Sequence, residues 1–324
     1  MVDVSRLTSH ALRFSERGIA LVMVLWILVL LSIVAMNFMN AGRWNSISTR
    51  NLREETASYF LALSGFHEVL DYLVRDKDTA VDFSDSGGGF WVDRETPLIT
   101  GRRSLPDGDV DISISDEDSK ININAASPEQ LKRLFMYAGV AEESIPAIVD
   151  AILDWKDPDN AEHLQGAEDD YYEGMAEPYK AKNGPFDVPE ELMLVKGVTP
   201  EMLFGGNDIK PILPLITTFG GGGMNINTAS LPVMKMLGLD TFEIEAVLKQ
   251  RTQDSGGFRS VPEQFAGRGM NVMSSSTLRI EVLARAKNSS QSAHITAVVQ
   301  RQPGQGGFRV RTLYWKEREE GIRS

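Results

Sequence analysis

Cysteine is absent from all 324 residues, which removes disulfides, thiolate zinc sites and cysteine nucleophiles together. Histidine is scarce. The four present (His10, His67, His163 and His294) are scattered, and neither a Gly-x-Ser-x-Gly elbow nor a phosphate-cradling glycine loop accompanies them. Excess positive charge is missing too: the formal net charge is −12 and the isoelectric point about 4.9. That balance argues against nucleic acid, whose phosphates require clustered Lys and Arg. With no redox signal, the compartment must be read from the N-terminus.

There, charge vanishes altogether. From Ile19 to Met36 the chain reads IALVMVLWILVLLSIVAM, roughly 27 Å as a helix at about 1.5 Å per residue and enough to span a bilayer core. Residues 1–18 before it carry Arg6, Arg13 and Arg17. The basic side stays cytoplasmic and the C-terminal bulk goes outward. A secretory signal would have a shorter apolar region closed by a small-x-small site. Here no Ala-x-Ala closes the run, and the small residue, Gly18, stands in front of it.

A basic leader, a glycine and an apolar helix resemble type IV prepilins and type II secretion pseudopilins. The resemblance implies a leader of residues 1–18, cleavage by the prepilin peptidase between Gly18 and Ile19, and methylation of the new amine. An uncleaved signal anchor is the alternative reading of this segment. Most pilin-like subunits carry Glu at the fifth mature position, where this chain has Met23. A carboxylate at that depth is costly unless it meets a partner such as a neighbour's terminal amine. A subunit with no neighbour above it needs none, and in this the chain looks like the K-type minor pseudopilin of type II secretion.

Beyond Asn37 the helical pattern continues to about Arg75, with Leu52, Tyr59, Phe60, Leu63, Phe66, Val69, Leu70 and Leu73 at three- and four-residue spacing. One long spine helix is expected. Gly87, Gly88 and Gly89 break it, and WVDRE and DVDISIS then alternate as strands around the turn residues Pro106, Asp107 and Gly108. Near the C-terminus LRIEVLARAKN, AHITAVVQRQ and FRVRTLYWKE alternate again, with SSQSA and PGQGG as connecting loops. They predict an antiparallel meander with one covered face.

Between these strands the pattern is helical and repeats itself. ININAAS at 121–127 matches MNINTAS at 224–230, each followed by an amphipathic helix, and FDVPEEL at 186–192 is echoed by FRSVPEQF at 258–265. Asn124 or Ser127 is expected to cap the first helix, with Asn227 and Ser230 in the same places in the second unit. Each unit resembles a helix-hairpin-helix repeat of DNA-uptake proteins. The Gly-x-Gly hairpin is missing, however, leaving Ala138-Gly139-Val140 and Leu237-Gly238-Leu239. A membrane-anchored DNA-binding or uptake protein is therefore the alternative function.

The first unit alone contains an acidic stretch. Between Asp150 and Glu177 ten carboxylates face a single lysine, Lys156. Such a loop repels itself unless it is solvated or neutralised, and Ca2+, with six to eight oxygen ligands in flexible geometry, suits it. A solvated acidic loop is the competing reading. Trp155, Tyr171 and Tyr172 interleave with the acids as in a packed loop, and the stretch resembles the calcium loop of K-type pseudopilins. The candidate ligands are Asp154, Asp157, Asp159, Glu168, Asp169 and Asp170. His163 stands among them, although one imidazole makes no catalytic zinc site. A carboxylate-pair hydrolase is the enzyme alternative.

The K-type likeness covers nearly the whole chain. It implies an α+β fold: a pilin-like spine helix packed on an antiparallel sheet, with a large inserted all-α domain of two diverged helix-hairpin-helix or SAM-like units. The expected divisions are leader 1–18, membrane segment 19–39, pilin-like part 40–118, insertion 119–276 and C-terminal strands 277–324. Within the insertion the units are about 120–200 and 223–276, with the acidic loop at 154–185. The likeness also implies a non-enzymatic tip subunit in the inner membrane with a periplasmic domain. Its partners would be the I- and J-type minor pseudopilins and the prepilin peptidase, with no nucleic acid.

Overall fold

The computed structural model describes residues 16–76, 83–84, 90–91, 100–252, 257–304 and 307–321. Leader residues 1–15, the Gly87–Gly89 break and the part of WVDRE after Trp91 lie outside them. The chain divides after Thr56 into two units. A single helix, α1 (Glu16–Arg75), begins in the first and ends in the second.

In the first unit the apolar run is helical and its side chains are exposed, Met23 and Trp26 among them. The helix is long and apolar enough to cross a membrane. Ser32, inside the run, donates its hydroxyl to the Leu28 carbonyl at 2.7 Å. That bond leaves no unmet donor to be desolvated in hydrocarbon.

In the second unit α1 lies on a sheet. A short antiparallel pair, β1 (Phe83–Ser84) and β2 (Phe90–Trp91), precedes the hairpin of β3 (Gly101–Leu105) and β4 (Gly108–Asp116). The meander of β7 (Thr277–Ala286), β8 (Gln291–Gly304) and β9 (Gly307–Gly321) completes an antiparallel sheet of order β3-β4-β7-β8-β9. Alternation puts Val110, Ile112 and Ile114 of β4, Leu278, Ile280 and Val282 of β7, and Ile295, Ala297 and Val299 of β8 into one core with Ala62, Phe66, Val69 and Leu73 of α1. Leu52 and Phe60, expected on that stripe, are exposed instead. The core helix face is narrower than the apolar pattern, and Ala62, too small to mark it, sits at its centre. The expected SSQSA loop is shorter as well, since β8 already begins at Gln291.

Close contact between helix and sheet depends on Gly65. A Cβ there would stand 3.0 Å from Val110 Cγ1 and 3.2 Å from Val282 Cγ1. Phe66 meets Trp315 of β9 edge-on at 5.0 Å, a favoured geometry for aromatic rings.

All residues between Asp116 and Thr277 leave and re-enter the sheet between two neighbouring strands, because β4 pairs directly with β7, Asp116 opposite Leu278. The excursion contains β5 (Ile121–Asn122) and β6 (Ile216–Thr217), a parallel pair. Its helices are α2 (Pro128–Ala138), α3 (Ile145–Lys156), α4 (Asp169–Glu173), α5 (Pro200–Phe204), α6 (Leu231–Met236), α7 (Thr241–Thr252) and α8 (Glu263–Ala266). They share one apolar core running from Ile121 to Met270.

The repeated sequences perform a common task twice beyond the expected capping, which falls to Ser127 in the first. Ser127 does cap α2, accepting from Gln130 N while the Gln130 side chain accepts from Ser127 N. Asn124 instead accepts from Phe186 N at 2.8 Å and donates to Phe186 O at 3.0 Å. Asn227 does the same with Phe258, at 2.7 and 3.0 Å. Each amide thereby imitates a strand neighbour and joins the two echoes of its unit. Each is oriented from behind, since Asn122 and Asn225 accept from the backbone N–H of Asn124 and Asn227 at 2.9 Å. A cation closes each turn: Lys156 donates to the carbonyls of Ile123, Asn124 and Ala126, and Arg251 donates to that of Ile226.

Three consecutive carboxylates root the excursion. Asp116, on the inward face of β4, accepts from Asp118 N at 2.9 Å, Asn225 Nδ2 at 2.9 Å, Thr228 Oγ1 at 2.5 Å and Ser275 Oγ at 2.7 Å. Glu117 accepts from Lys120 at 2.6 Å, Arg279 at 2.8 Å and the Thr217 hydroxyl. Asp118 accepts from Ser276 N at 2.9 Å and Thr277 N at 3.2 Å, at the start of β7. Arg301 of β8 bonds the Ser275 carbonyl and pairs with Asp76, just past α1, at 2.7 Å in a buried bridge. Thus the end of α1, the sheet and the second unit meet at one polar node.

Substituting Gly65 tests the helix–sheet contact. Gly65→Leu should lower stability by about 1–3 kcal/mol through overpacking, read as a fall in Tm of the detergent-solubilised chain, whereas Gly42→Leu, where a Cβ meets nothing within 4 Å, should leave it unchanged.

Candidate metal centre

The acidic stretch is built outward from α3. Its apolar face (Ile145, Ile148, Ile152 and Trp155) is buried in the insertion core, while Asp154, on another side of the helix, is fully buried under the loop that follows. Asp154 organises the loop that follows. Its Oδ1 accepts from His163 N at 3.1 Å and its Oδ2 from Ala167 N at 2.7 Å, while His163 Nδ1 closes on Oδ1. One turn earlier, Asp150 accepts from Gln165 N at 3.1 Å. The loop passes so near that a Cβ on Gly166 would lie inside Asp154 Oδ2, at 1.8 Å. Lys196 holds the other side, donating its ammonium to the Gly166 carbonyl at 2.7 Å and its N–H to the Tyr172 hydroxyl at 3.2 Å.

Aromatic rings wall the site from below. Tyr172, fully buried, meets Trp155 edge-on at 5.2 Å and stacks on Tyr179 at 5.1 Å, and Phe186 stacks on Trp155 from the other side. In that low-dielectric setting three acidic oxygens lack partners: Glu168 Oε1, Glu168 Oε2 and Asp157 Oδ1 are buried without a hydrogen bond. Burial raises Glu168 to about 7, reinforced by Asp154, Asp157, Asp169 and Asp159. Burial and then the Asp159 charge raise Asp157 as well. His163 is raised by its bond to Asp154.

Not all six candidate ligands converge. Asp154 and Asp157 do, and with His163 they present ligand atoms within 4.8 Å of one another. Glu168 adds two open oxygens beside them. Asp159 is exposed and accepts from Ala161 N at 2.9 Å, yet its charge reaches both Asp157 and Glu168. Asp169 is engaged elsewhere, accepting from Ala181 N and Lys180 Nζ at 3.0 Å and clasping the far end of the loop. Asp170 is exposed on α4. His163 was the residue outside the candidate set, and its position amid the acids was the signal for it.

A hard cation fits this donor set. Orphaned carboxylate oxygens in a buried cluster need a proton or a cation to offset their charge. Oxygen donors of this number, without a thiolate, suit Ca2+ better than a transition metal. Asp154, Asp157 and His163 would hold the ion, and Glu168 would add its unpartnered oxygens. The bonds that Asp154 makes to His163 and Ala167 order the loop.

Comparison with known proteins places this architecture. The family model described as "Type II secretion system (T2SS), protein K" matches residues 111–207, which span β4, the first unit and the acidic loop. Type II secretion system protein K of Pseudomonas aeruginosa is 27% identical over 266 residues, covering 77% of this chain and 76% of its own. The chain thus resembles type II secretion system protein K along most of its length and matches that family's model over residues 111–207. The family protein of Aeromonas hydrophila is 26% identical over 58% of this chain and 60% of its own. A chain in the crystal structure of the GspK–GspI–GspJ complex from the enterotoxigenic Escherichia coli type 2 secretion system shares the fold, with a TM-score of 0.59 at 16% identity over 86% of this chain and all of that one. These likenesses support a minor pseudopilin of type II secretion, a structural component and not an enzyme.

The raised Glu168 has a defined pH consequence. Its folded pKa lies above that of an unfolded carboxylate, so the stability linked to its proton is present at low pH and lost as pH rises through 7. In chelator, Tm should fall between pH 5.5 and pH 8, and Glu168→Gln should shrink that fall by the equivalent of up to about 2 kcal/mol. Added Ca2+ should raise Tm more at pH 8 than at pH 5.5, since the ion competes with the proton. An equal response at both pH values would remove Glu168 from the ligand set.

Proposed function

We propose that this minor pseudopilin is processed between Gly18 and Ile19, held in the inner membrane by residues 19–39 with its remaining bulk in the periplasm, and set at the tip of the pseudopilus. There it helps initiate assembly and blocks further addition. The root of the insertion carries this reading. Everything between Asp116 and Thr277 grows from one place on the sheet, and Ser275 and Arg301 tie that place to Asp76, at the end of α1 farthest along the chain from the apolar run. Bulk rooted there leaves no room for a following subunit. Met23 agrees, since a subunit with nothing above it has no terminal amine to neutralise.

The insertion is read as a domain of residues 119–276 made from two diverged helix-hairpin-helix or SAM-like units. The paired Asn124–Phe186 and Asn227–Phe258 clasps support the duplication. Calcium is assigned to the first unit as a structural ion. Asp154, Asp157, His163 and Glu168 are its principal ligands, and Asp169 acts as a clasp for the loop.

The family relative in the E. coli complex assembles with GspI and GspJ. We extend that partnership to the I- and J-type minor pseudopilins of this system, bound along α1. Phe60 and Val74 are both exposed on the spine and lie within about 40° of each other at 3.6 residues per turn, giving an apolar strip that the sheet does not use.

Two measurements test the reading. Mass spectrometry of the mature chain should find N-methylated Ile19 as the first residue, and an intact Met1 would overturn the processing step. Phe60→Asp with Val74→Asp should cut recovery of the I- and J-type partners at least roughly tenfold, because charging an interface centre forfeits its burial. Tm should hold steady, since both side chains are exposed in the isolated chain.

A further inference from the structure

An acidic protein with a cationic groove invites a question about what the groove accepts. Between the two helical units, α2 and α6 leave an open trough of two adjoining lobes, about 400 Å3 and about 660 Å3. Arg133 of α2 and Arg268, just past α8, line both lobes, and Lys235 of α6 lines the larger.

The two guanidiniums are held in place. Arg133 Nε pairs with Glu129 at 3.2 Å, one helical turn away, and its Nη1 lies 3.5 Å from where a Cβ on Gly238 would project. Arg268 Nη1 bonds the Gly238 carbonyl at 3.0 Å and Glu243 at 2.6 Å. Both arginines therefore flank the α6–α7 turn, and each keeps unused N–H donors. Side chains fixed this way lose little freedom on meeting a planar anion, which is what favours bidentate guanidinium–carboxylate pairing. Lys235 is exposed on the rim. Met136, half exposed, lines the larger lobe beside them, and a methionine wall adapts to varied apolar partners.

We infer that this trough is a docking site for an extended acidic peptide segment of a partner protein, with Asp or Glu carboxylates between Arg133 and Arg268 and an apolar side chain against Met136. Charge complementarity selects the class. Three cations interleaved with Glu129 and Glu243 match spaced carboxylates flanked by apolar residues. Nucleic acid would need a longer basic track, and the net charge of −12 opposes its approach. None of these residues belongs to the calcium cluster or to the spine strip, so the site stands independently of both.

The test uses the full chain in detergent with a fluorescently labelled peptide of alternating Glu and Leu, read by anisotropy at about physiological salt, where weak surface steering is largely screened. Saturable binding is expected, and Arg133→Glu with Lys235→Glu should weaken it at least roughly tenfold, in the range seen when like charges replace complementary ones at an interface. The matching Lys–Leu peptide should not bind. If the double variant loses Tm, Lys235→Glu alone supplies the comparison, with a smaller loss of affinity expected from an exposed rim charge. Equal binding by wild type and variant, no binding by wild type, or tighter capture of a single-stranded oligonucleotide at the same salt would each overturn the proposal.

Discussion

Asp116 occupies a position that the strand pattern reserves for an apolar side chain. Val110, Ile112 and Ile114 precede it on the same face of β4, all buried against α1. A leucine there would extend the sheet core by one layer and give the chain no reason to leave. The carboxylate must find donors, and it finds them in two segments distant in sequence, Asn225 with Thr228 and Ser275. Burial, then the neighbouring Asp118, raises its pKa to about 7 against the pull of those donors. Removing the insertion's contribution would leave a buried charge without partners, which is far costlier than a lost contact. The second repeat is thereby obliged to pack at the end of β4, where it meets β7.

Glu117 and Asp118 divide the remaining work by direction. Glu117 faces the first unit through Thr217, and Asp118 faces the returning strand through Ser276 and Thr277. Burial alone would push Glu117 up, but Lys120 and Arg279 outweigh it and hold it below the ordinary carboxylate range. Glu117 is thereby paired with two cations inside the node. A tripeptide thus joins three bodies, and Arg301 with Asp76 adds the end of α1 as a fourth.

Local patterning made much of this fold legible. Period-two alternation located β4, β7, β8 and β9, and the uncharged run beginning at Ile19 located the start of α1. The repeats were legible as repeats, but their purpose was not. An Asn four residues before a helical Pro reads as a cap because capping is local, whereas the Asn124–Phe186 pairing depends on a fold that brings residue 186 back. The exposed Phe60 is a similar case, since helical periodicity cannot distinguish a residue facing its own sheet from one facing a partner. At the acidic loop, composition marked the region but could not rank the acids. Asp154 and Asp169 use their oxygens on backbone N–H groups, while Glu168 has both oxygens buried and free. That difference is set by where Gly166 lets the loop touch α3, which no spacing rule contains.

The repeated sequences also bear on why only the first carries an acidic stretch. In both repeats the Asn clasp and a cation at the end of the preceding helix close the turn, so the connection between that helix and the clasped Phe is free to differ in length. In the second unit that connection is short, from Thr252 to Phe258, and Arg251 is buried against Ile226. In the first it runs from Lys156 to Phe186 and holds most of the acids. A loop of that length has to be ordered by something. Aromatic packing on Trp155 supplies part of the order, and it also dries the site. Drying is what leaves Glu168 and Asp157 unpaired and makes a cation the economical remedy. The acidity of the stretch follows from its length and its floor, and the clasp that permits both was already present in the repeat.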